Sequence, residues 1–172
     1  MRNYFLISED ERVFNKVRPS PMEIKGKTFQ DTPNISFYQV DSSVITQHVD
    51  WLDRPRVIIS DAMKLLLEKY NPRLRFKAIH CIDQAASLQT TYWIAEIPAV
   101  ECISPHSQFH NNGTIKKLLL DDKKIKKEHI FMIANVVESY IVISLELAES
   151  ILRRSMTGFM LTKVTLDREA NS

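Results

Sequence analysis

One pattern occurs twice in this chain, and it constrains the fold more than any other feature. The first copy runs Val57-Ile58-Ile59-Ser60, then Asp61-Ala62-Met63-Lys64-Leu65-Leu66-Leu67, then a turn, then Leu74-Arg75-Phe76. The second runs Ile141-Val142-Ile143-Ser144, then Leu145-Glu146-Leu147-Ala148-Glu149-Ser150-Ile151, then a turn, then Gly158-Phe159-Met160. Each reads as an apolar strand, a serine, an amphipathic helix, a break and a returning strand. The pattern predicts an α+β fold: a mostly antiparallel sheet with two similar strand–helix–strand units, at 56–83 and 140–167, and a central strand-rich meander.

The residues within each copy give the reasons. Val57–Ile59 and Ile141–Ile143 are short continuous apolar runs, as buried strands are. Ser60 and Ser144 stand where a helix N-cap belongs, and a serine hydroxyl accepts a free first-turn amide hydrogen. Met63, Leu66, Leu67 and Tyr70 form one helical stripe, and Leu147, Ala148, Ile151 and Leu152 form the other. Asn71-Pro72 ends the first helix, since proline disfavours helical geometry in the residue before it. Arg153 and Arg154 suit the negative end of the second helix, and Gly158 is the expected left-handed turn residue beyond it. Leu74, Phe76, Ala78, His80 and Ile82 alternate with Arg73, Arg75 and Lys77, which predicts a strand.

The remainder is less regular. Residues 1–50 read as an irregular segment, with strands at Tyr4–Ile7 and Ile35–Val40 separated by Pro19, Pro21, Gly26 and Pro33. Val44, Ile45, His48, Val49 and Leu52 have helical spacing, so a short helix is expected over 43–53, stopped by Pro55. In the middle, Thr91–Ile97, Ala99–Ser104, Ile115–Leu120 and His129–Ala134 are candidate strands, and Asp121-Asp122-Lys123-Lys124 is a charged turn. Trp93 falls in a strand pattern and is expected in the core. At 172 residues the chain is expected to be a single domain.

Composition narrows the function classes. With only Gly26, Gly113 and Gly158, no two glycines are close enough to form a phosphate-cradling loop. A formal net charge of +2 gives no electrostatic footprint for nucleic acid. Lys116, Lys117, Lys123, Lys124, Lys126 and Lys127 form a basic run, but it has no interleaved aromatics and Asp121, Asp122 and Glu128 dilute it. Cys81 and Cys102 sit in apolar contexts that suit reduced, buried thiols. No apolar run approaches the roughly 18 residues of a membrane span, and the N-terminus turns acidic at Glu9-Asp10-Glu11. A cytoplasmic protein is therefore expected, with no membrane or nucleic-acid partner.

Searches for chemistry return no catalytic set, cofactor or metal. Cys102, His106 and His110 have metal-like spacing, with His80 and Cys81 further off, yet Pro105 interrupts it and the spacing matches no zinc knuckle. Ser104-Pro105-His106-Ser107 sets serine beside histidine without a nucleophile elbow. Ser60 and Ser144 are accounted for by capping. Asp121-Asp122 and Asp50/Asp53 pair carboxylates, but acidic turn residues are usually solvated. Trp51, flanked by Asp50, Asp53 and Arg54, is read either as an exposed interface anchor or as packed on the first unit.

One order of segments is familiar. Tyr92-Trp93-Ile94 and Val100-Glu101-Cys102-Ile103 precede Ile115–Asp121 and His129-Ile130-Phe131, then come Ile141-Val142-Ile143-Ser144 and Thr157-Gly158-Phe159. Over residues 51–166 this resembles a family of immunity proteins from bacterial polymorphic-toxin loci, departing from it at Cys102-Ile103-Ser104-Pro105, where the family has an acidic residue. The resemblance implies a non-catalytic protein whose partner is a cognate protein toxin. The expected contact residues are Asp50, Trp51 and Asp53 in one loop and Asp121, Asp122, Lys123 and Lys124 in the charged turn. The alternative is a small-molecule-binding or enzymatic domain with an anion site near the helix starts at Ser60 and Ser144, because helix N-termini attract anions.

Overall fold

The structure is a computed structural model that describes residues 3–18, 26–40 and 47–167. It divides into two compact units, one of Glu9–Glu96 with Arg153–Phe159, the other of Met1–Ser8, Ile97–Leu152 and Met160–Ser172. The first copy of the repeated pattern lies in the first of these; the second copy lies in the other except for Arg153–Phe159, its helix end and turn.

In the first unit, Ile58–Ser60 (β4) runs into a helix, Asp61–Tyr70 (α1), and returns as Arg75–Asp83 (β5). Ser60 caps α1 by accepting from Met63 N at 3.1 Å. Asn71 closes it, its amide bonding to the Leu67 carbonyl at 2.9 Å. β4 and β5 are not neighbours: Leu88–Glu96 (β6) lies between them, antiparallel to both. Trp51–Leu52 (β3) extends the sheet beyond β4, and Ile35–Gln39 (β2) pairs parallel with β5 at the other edge.

The second copy begins in the other unit: Ile141–Ser144 (β12) runs into Leu145–Arg153 (α3), and the chain returns as Phe159–Lys163 (β13). Tyr4–Glu9 (β1) lies between β12 and β13, and Ile130–Ile133 (β11) extends the sheet beyond β12. The two copies therefore share one strand order: an outer strand, the strand before the helix, an inserted strand, and the strand after it. The inserted strand follows the helix in the first unit and comes from the beginning of the chain in the second.

The α+β class stands, with differences in the middle. β6 belongs to the first sheet. Ala99–Val100 (β7) pairs parallel with β11, and Leu119–Asp121 (β10) pairs parallel with Thr165–Asp167 (β14). Gln108–Phe109 (β8) and Ile115–Lys117 (β9) form a separate antiparallel pair. The strands of the expected meander are thus shared among four sheets. The charged turn is instead a single helical turn, Asp122–Ile125 (α2), with Asp121 as its N-cap. The expected helix at 43–53 lies partly outside the described residues; over the described part it is corrected, since Trp51 and Leu52 form a strand.

Burial follows the pleat. Leu52, Ile58, Ile79, Cys81, Tyr92 and Ile94 lie in one core with Val17, Phe29, Tyr38 and Val49. Strand alternation turns Trp51, Ile59 and Trp93 to the opposite face, and α1 packs against β4 and β6. The β5 residues turned into the core are Ile79 and Cys81, while His80 and Ile82 are only partly covered. In the second unit, Tyr4, Cys102, Leu120, Ile125, Phe131, Ile133, Val142 and Val164 form the core, with the Tyr4 and Phe131 rings edge to face at 6.0 Å.

Gly158 is the turn residue the sequence suggested, with φ of 92°. A Cβ there would stand 2.5 Å from Val49 Cβ and 3.0 Å from the Trp51 carbonyl oxygen. Both the backbone conformation and the space demand glycine. Gly158→Ala is expected to lower stability by roughly 2–4 kcal/mol, read as a shift in the urea unfolding midpoint.

Candidate functional site

The first group of sequence-selected residues, Asp50, Trp51 and Asp53, is absorbed into the first unit. Asp50 Oδ1 accepts from the Ser60 hydroxyl at 2.5 Å, and Oδ2 accepts from Thr157 N at 2.8 Å. Its backbone bonds the same two places: Asp50 N donates to the Thr157 carbonyl at 2.9 Å, and Ser60 N donates to the Asp50 carbonyl at 3.1 Å. The carboxylate therefore joins the start of α1 to the turn before Gly158. Trp51 is fully buried, so its reading as an exposed anchor is corrected: it pairs with Ile59 on the sheet face opposite Leu52 and Ile58. Trp93 is the more accessible tryptophan. It donates from Nε1 to Asp61 Oδ1 at 2.9 Å, and the Lys64 ammonium sits 4.6 Å above its ring.

Asp53 belongs to a charged cluster that sequence reading missed. Glu9 is buried, and Lys16 Nζ lies 2.6 Å from its Oε1 with only 4% of the lysine side chain exposed. Arg18 donates to the same oxygen. Glu9 N donates to Asp53 Oδ2 at 2.7 Å, and Asp53 N donates to Glu9 Oε2 at 3.2 Å. Burial pushes the Glu9 carboxyl upward, but hydrogen bonds from Lys16, Arg18 and the Asp53 amide, with the charge of Arg18, outweigh it and hold the group below its ordinary value. The available signal was position: Glu9 is two residues beyond buried Ile7 on the same strand face.

The second group, Asp121, Asp122, Lys123 and Lys124, lies on α2. Asp121 Oδ1 accepts from Lys123 N at 3.1 Å, and Lys124 Nζ is 3.9 Å from its other oxygen. Ile125 is wholly buried, which anchors the turn, while Asp122, Lys123 and Lys124 are exposed. Lys126 and Lys127 follow with φ of 49° and 68°. Beside this turn is a concavity of about 460 Å³ lined by Ala99, Val100, Glu101, Lys124, Lys126 and Glu128.

The Ser104–His106 pair does come together, through a third residue. The Ser104 hydroxyl donates to Asp167 Oδ2 and accepts from His106 N at 3.0 Å, and His106 Nδ1 lies 2.6 Å from the same carboxylate oxygen. The carboxylate stands between serine and imidazole, so the imidazole has no access to the serine proton. Ser104 is also buried. This order differs from a nucleophilic triad, in which histidine bridges; it is a lock on β14.

Ser144 caps α3 weakly, accepting from Leu147 N at 3.3 Å, and lies 2.8 Å from His129 Nδ1 with no exposed surface. At α1 the carboxylates of Asp50 and Asp61 crowd the cap, which disfavours an anion there. Burial raises the Cys102 thiol to about 11, away from nucleophilic use. Among the described residues no three of the metal-ligating types converge, and no helix is long and apolar enough to cross a membrane.

What the geometry leaves is a scaffold whose internal polar groups largely serve folding, with a charged turn on its surface. The chain belongs to the immunity protein family Imm11, which matches residues 3–165. The match includes the N-terminal segment that the motif resemblance did not reach, consistent with β1 being the inserted strand of the second sheet. No curated protein matches the chain.

Asp50→Ala removes two acceptors at once and is expected to cost about 1–3 kcal/mol in a chemical denaturation curve. Glu9→Gln leaves a buried lysine without its counter-charge, and a loss of about 3 kcal/mol is expected. Because the folded Glu9 carboxyl is held below its ordinary value, its contribution is present above the ordinary glutamate range and lost as pH falls through the folded value. Denaturation curves at pH 3 and pH 6 should therefore differ less for Glu9→Gln than for the parent.

Proposed function

We propose that this chain is a cytoplasmic immunity protein that neutralises a cognate toxin domain by binding it, with no chemistry of its own. The family match over nearly the whole chain is the observation that carries this reading. The site geometry supports it. The histidine, serine and carboxylate groups that a hydrolytic reading would enlist are buried or committed to caps and locks. Inhibition by contact needs a rigid body with a distinctive surface, since complementary charge speeds encounter and rejects wrong partners.

The contact surface is assigned to Asp121, Asp122, Lys123 and Lys124 on α2. Asp50 and Asp53 are given structural duties instead, because their carboxylates accept hydrogen bonds that join distant segments of the first unit, whereas that of Asp121 serves only its own turn.

The test is co-expression of the neighbouring toxin domain with and without this protein, scoring growth. The parent chain is expected to restore growth. A His106→Ala variant, which removes a largely exposed imidazole from the Asp167 lock, should protect equally well. Loss of protection in that variant at unchanged protein level would favour the enzymatic alternative.

A further inference from the structure

The charge of this protein is concentrated in one place. Residues 116–128 carry six lysines against Asp121, Asp122 and Glu128, a net of +3, while the whole chain carries +2. The remaining residues together are therefore slightly negative. Four of the six lysines, Lys123, Lys124, Lys126 and Lys127, sit on α2 and its immediate exit, and all four are exposed. Lys116 and Lys117 are exposed on β9, which leads through β10 directly into α2. Chain connectivity keeps Lys117 within about 20 Å of Lys123.

The turn is also held in place. Asp121 caps it, and Ile125 between the two lysine pairs is wholly buried in the core of its unit. Lysine then occupies two successive left-handed positions, 126 and 127, where glycine or asparagine would be less strained. Both strained positions present a lysine side chain to solvent. Next to it, the concavity of about 460 Å³ has Ala99 and Val100 in its lining, and its charged residues are Lys124 and Lys126 with Glu101 and Glu128, so the cationic character lies on the turn and not in the concavity.

We infer that the lysine-bearing turn Lys123–Lys127 is the docking surface for the toxin, and that the toxin meets it with an acidic surface. This rests on the toxin-binding reading above and adds the chemistry of the partner. Charge complementarity selects the occupant: a dense cationic turn on an otherwise slightly negative protein steers an acidic partner to one orientation. Nucleic acid is the weaker fit, because residues 115–128 contain no aromatic side chain on which a base could stack, and because Asp121 and Asp122 lie inside the patch.

The experiment measures association of the full chain with the neighbouring toxin domain by stopped flow, at 50 mM and 500 mM salt. Two variants accompany the parent. Lys123→Glu with Lys124→Glu reverses charge on the helical turn; Lys126→Gly with Lys127→Gly removes charge and relieves the left-handed strain. For the parent, the association rate should fall about tenfold or more between the two salt concentrations. At 50 mM the charge-reversal variant should associate about tenfold more slowly, with the dissociation rate changing much less. The glycine variant should also associate more slowly although its Tm is unchanged or raised by roughly 2–4 °C, which separates loss of contact from loss of fold.

Tight association that is insensitive to salt and to both variants would overturn the inference and leave the immunity reading intact. Failure of the parent to bind the toxin domain at either salt concentration would overturn both. Salt-sensitive binding of the parent to single-stranded DNA, with toxin association unaffected by either variant, would assign the lysine turn to nucleic acid instead.

Discussion

A helix that begins at the end of a buried strand has amide hydrogens that water reaches poorly. The rest of this structure depends on how that problem is solved. Ser60 stands at the first such junction and Ser144 at the second, each bringing its oxygen to the amide three residues on. In both places the serine is itself held, by Asp50 in one case and His129 in the other. The solution lets each helix start directly at the end of its strand. In both copies the returning strand lies two places from the strand before the helix, and the gap is filled by an inserted strand.

This arrangement explains why the polar residues that look reactive in the sequence do not form a reactive site. A serine at a strand–helix junction, a serine beside a histidine and an aspartate beside a tryptophan are all motifs that chemistry can use. Here each one closes a gap in the backbone hydrogen bonding or fastens a strand. The Ser104, His106 and Asp167 cluster shows the point most clearly, because the carboxylate lies between the other two and within hydrogen-bonding distance of both. A body organised in this way suits recognition, and membership of an immunity family agrees with that. The lysine turn contributes Ile125 to the core and leaves Lys123, Lys124, Lys126 and Lys127 exposed.

Periodicity made much of the local structure legible. α1, its cap at Ser60 and its end at Asn71-Pro72 were readable because capping and helix termination are settled within four residues. Gly158 was readable because a glycine just past an amphipathic run has few other roles. The strands β4, β6, β11 and β12 were readable as apolar runs. Trp51 and Trp93 were not, because strand alternation tells which residues share a face but not which face a helix will cover. Asp121–Lys124 was read as a turn because one turn of helix is too short to carry a period. Glu9 was passed over because its burial is compensated by Lys16, Arg18 and Asp53, which come from distant points in the chain.

The amino-acid sequence by itself determined the two longer helices, their serine caps and the twofold recurrence of strand, serine and helix, because each depends on residues a few positions apart. The tertiary structure alone decided which strands are neighbours, that β1 enters the second sheet between β12 and β13, and that Asp50 serves the fold rather than a surface. Those outcomes hang on pairings between residues as far apart as Asp50 and Thr157, and nothing in the local chemistry of either residue names the other.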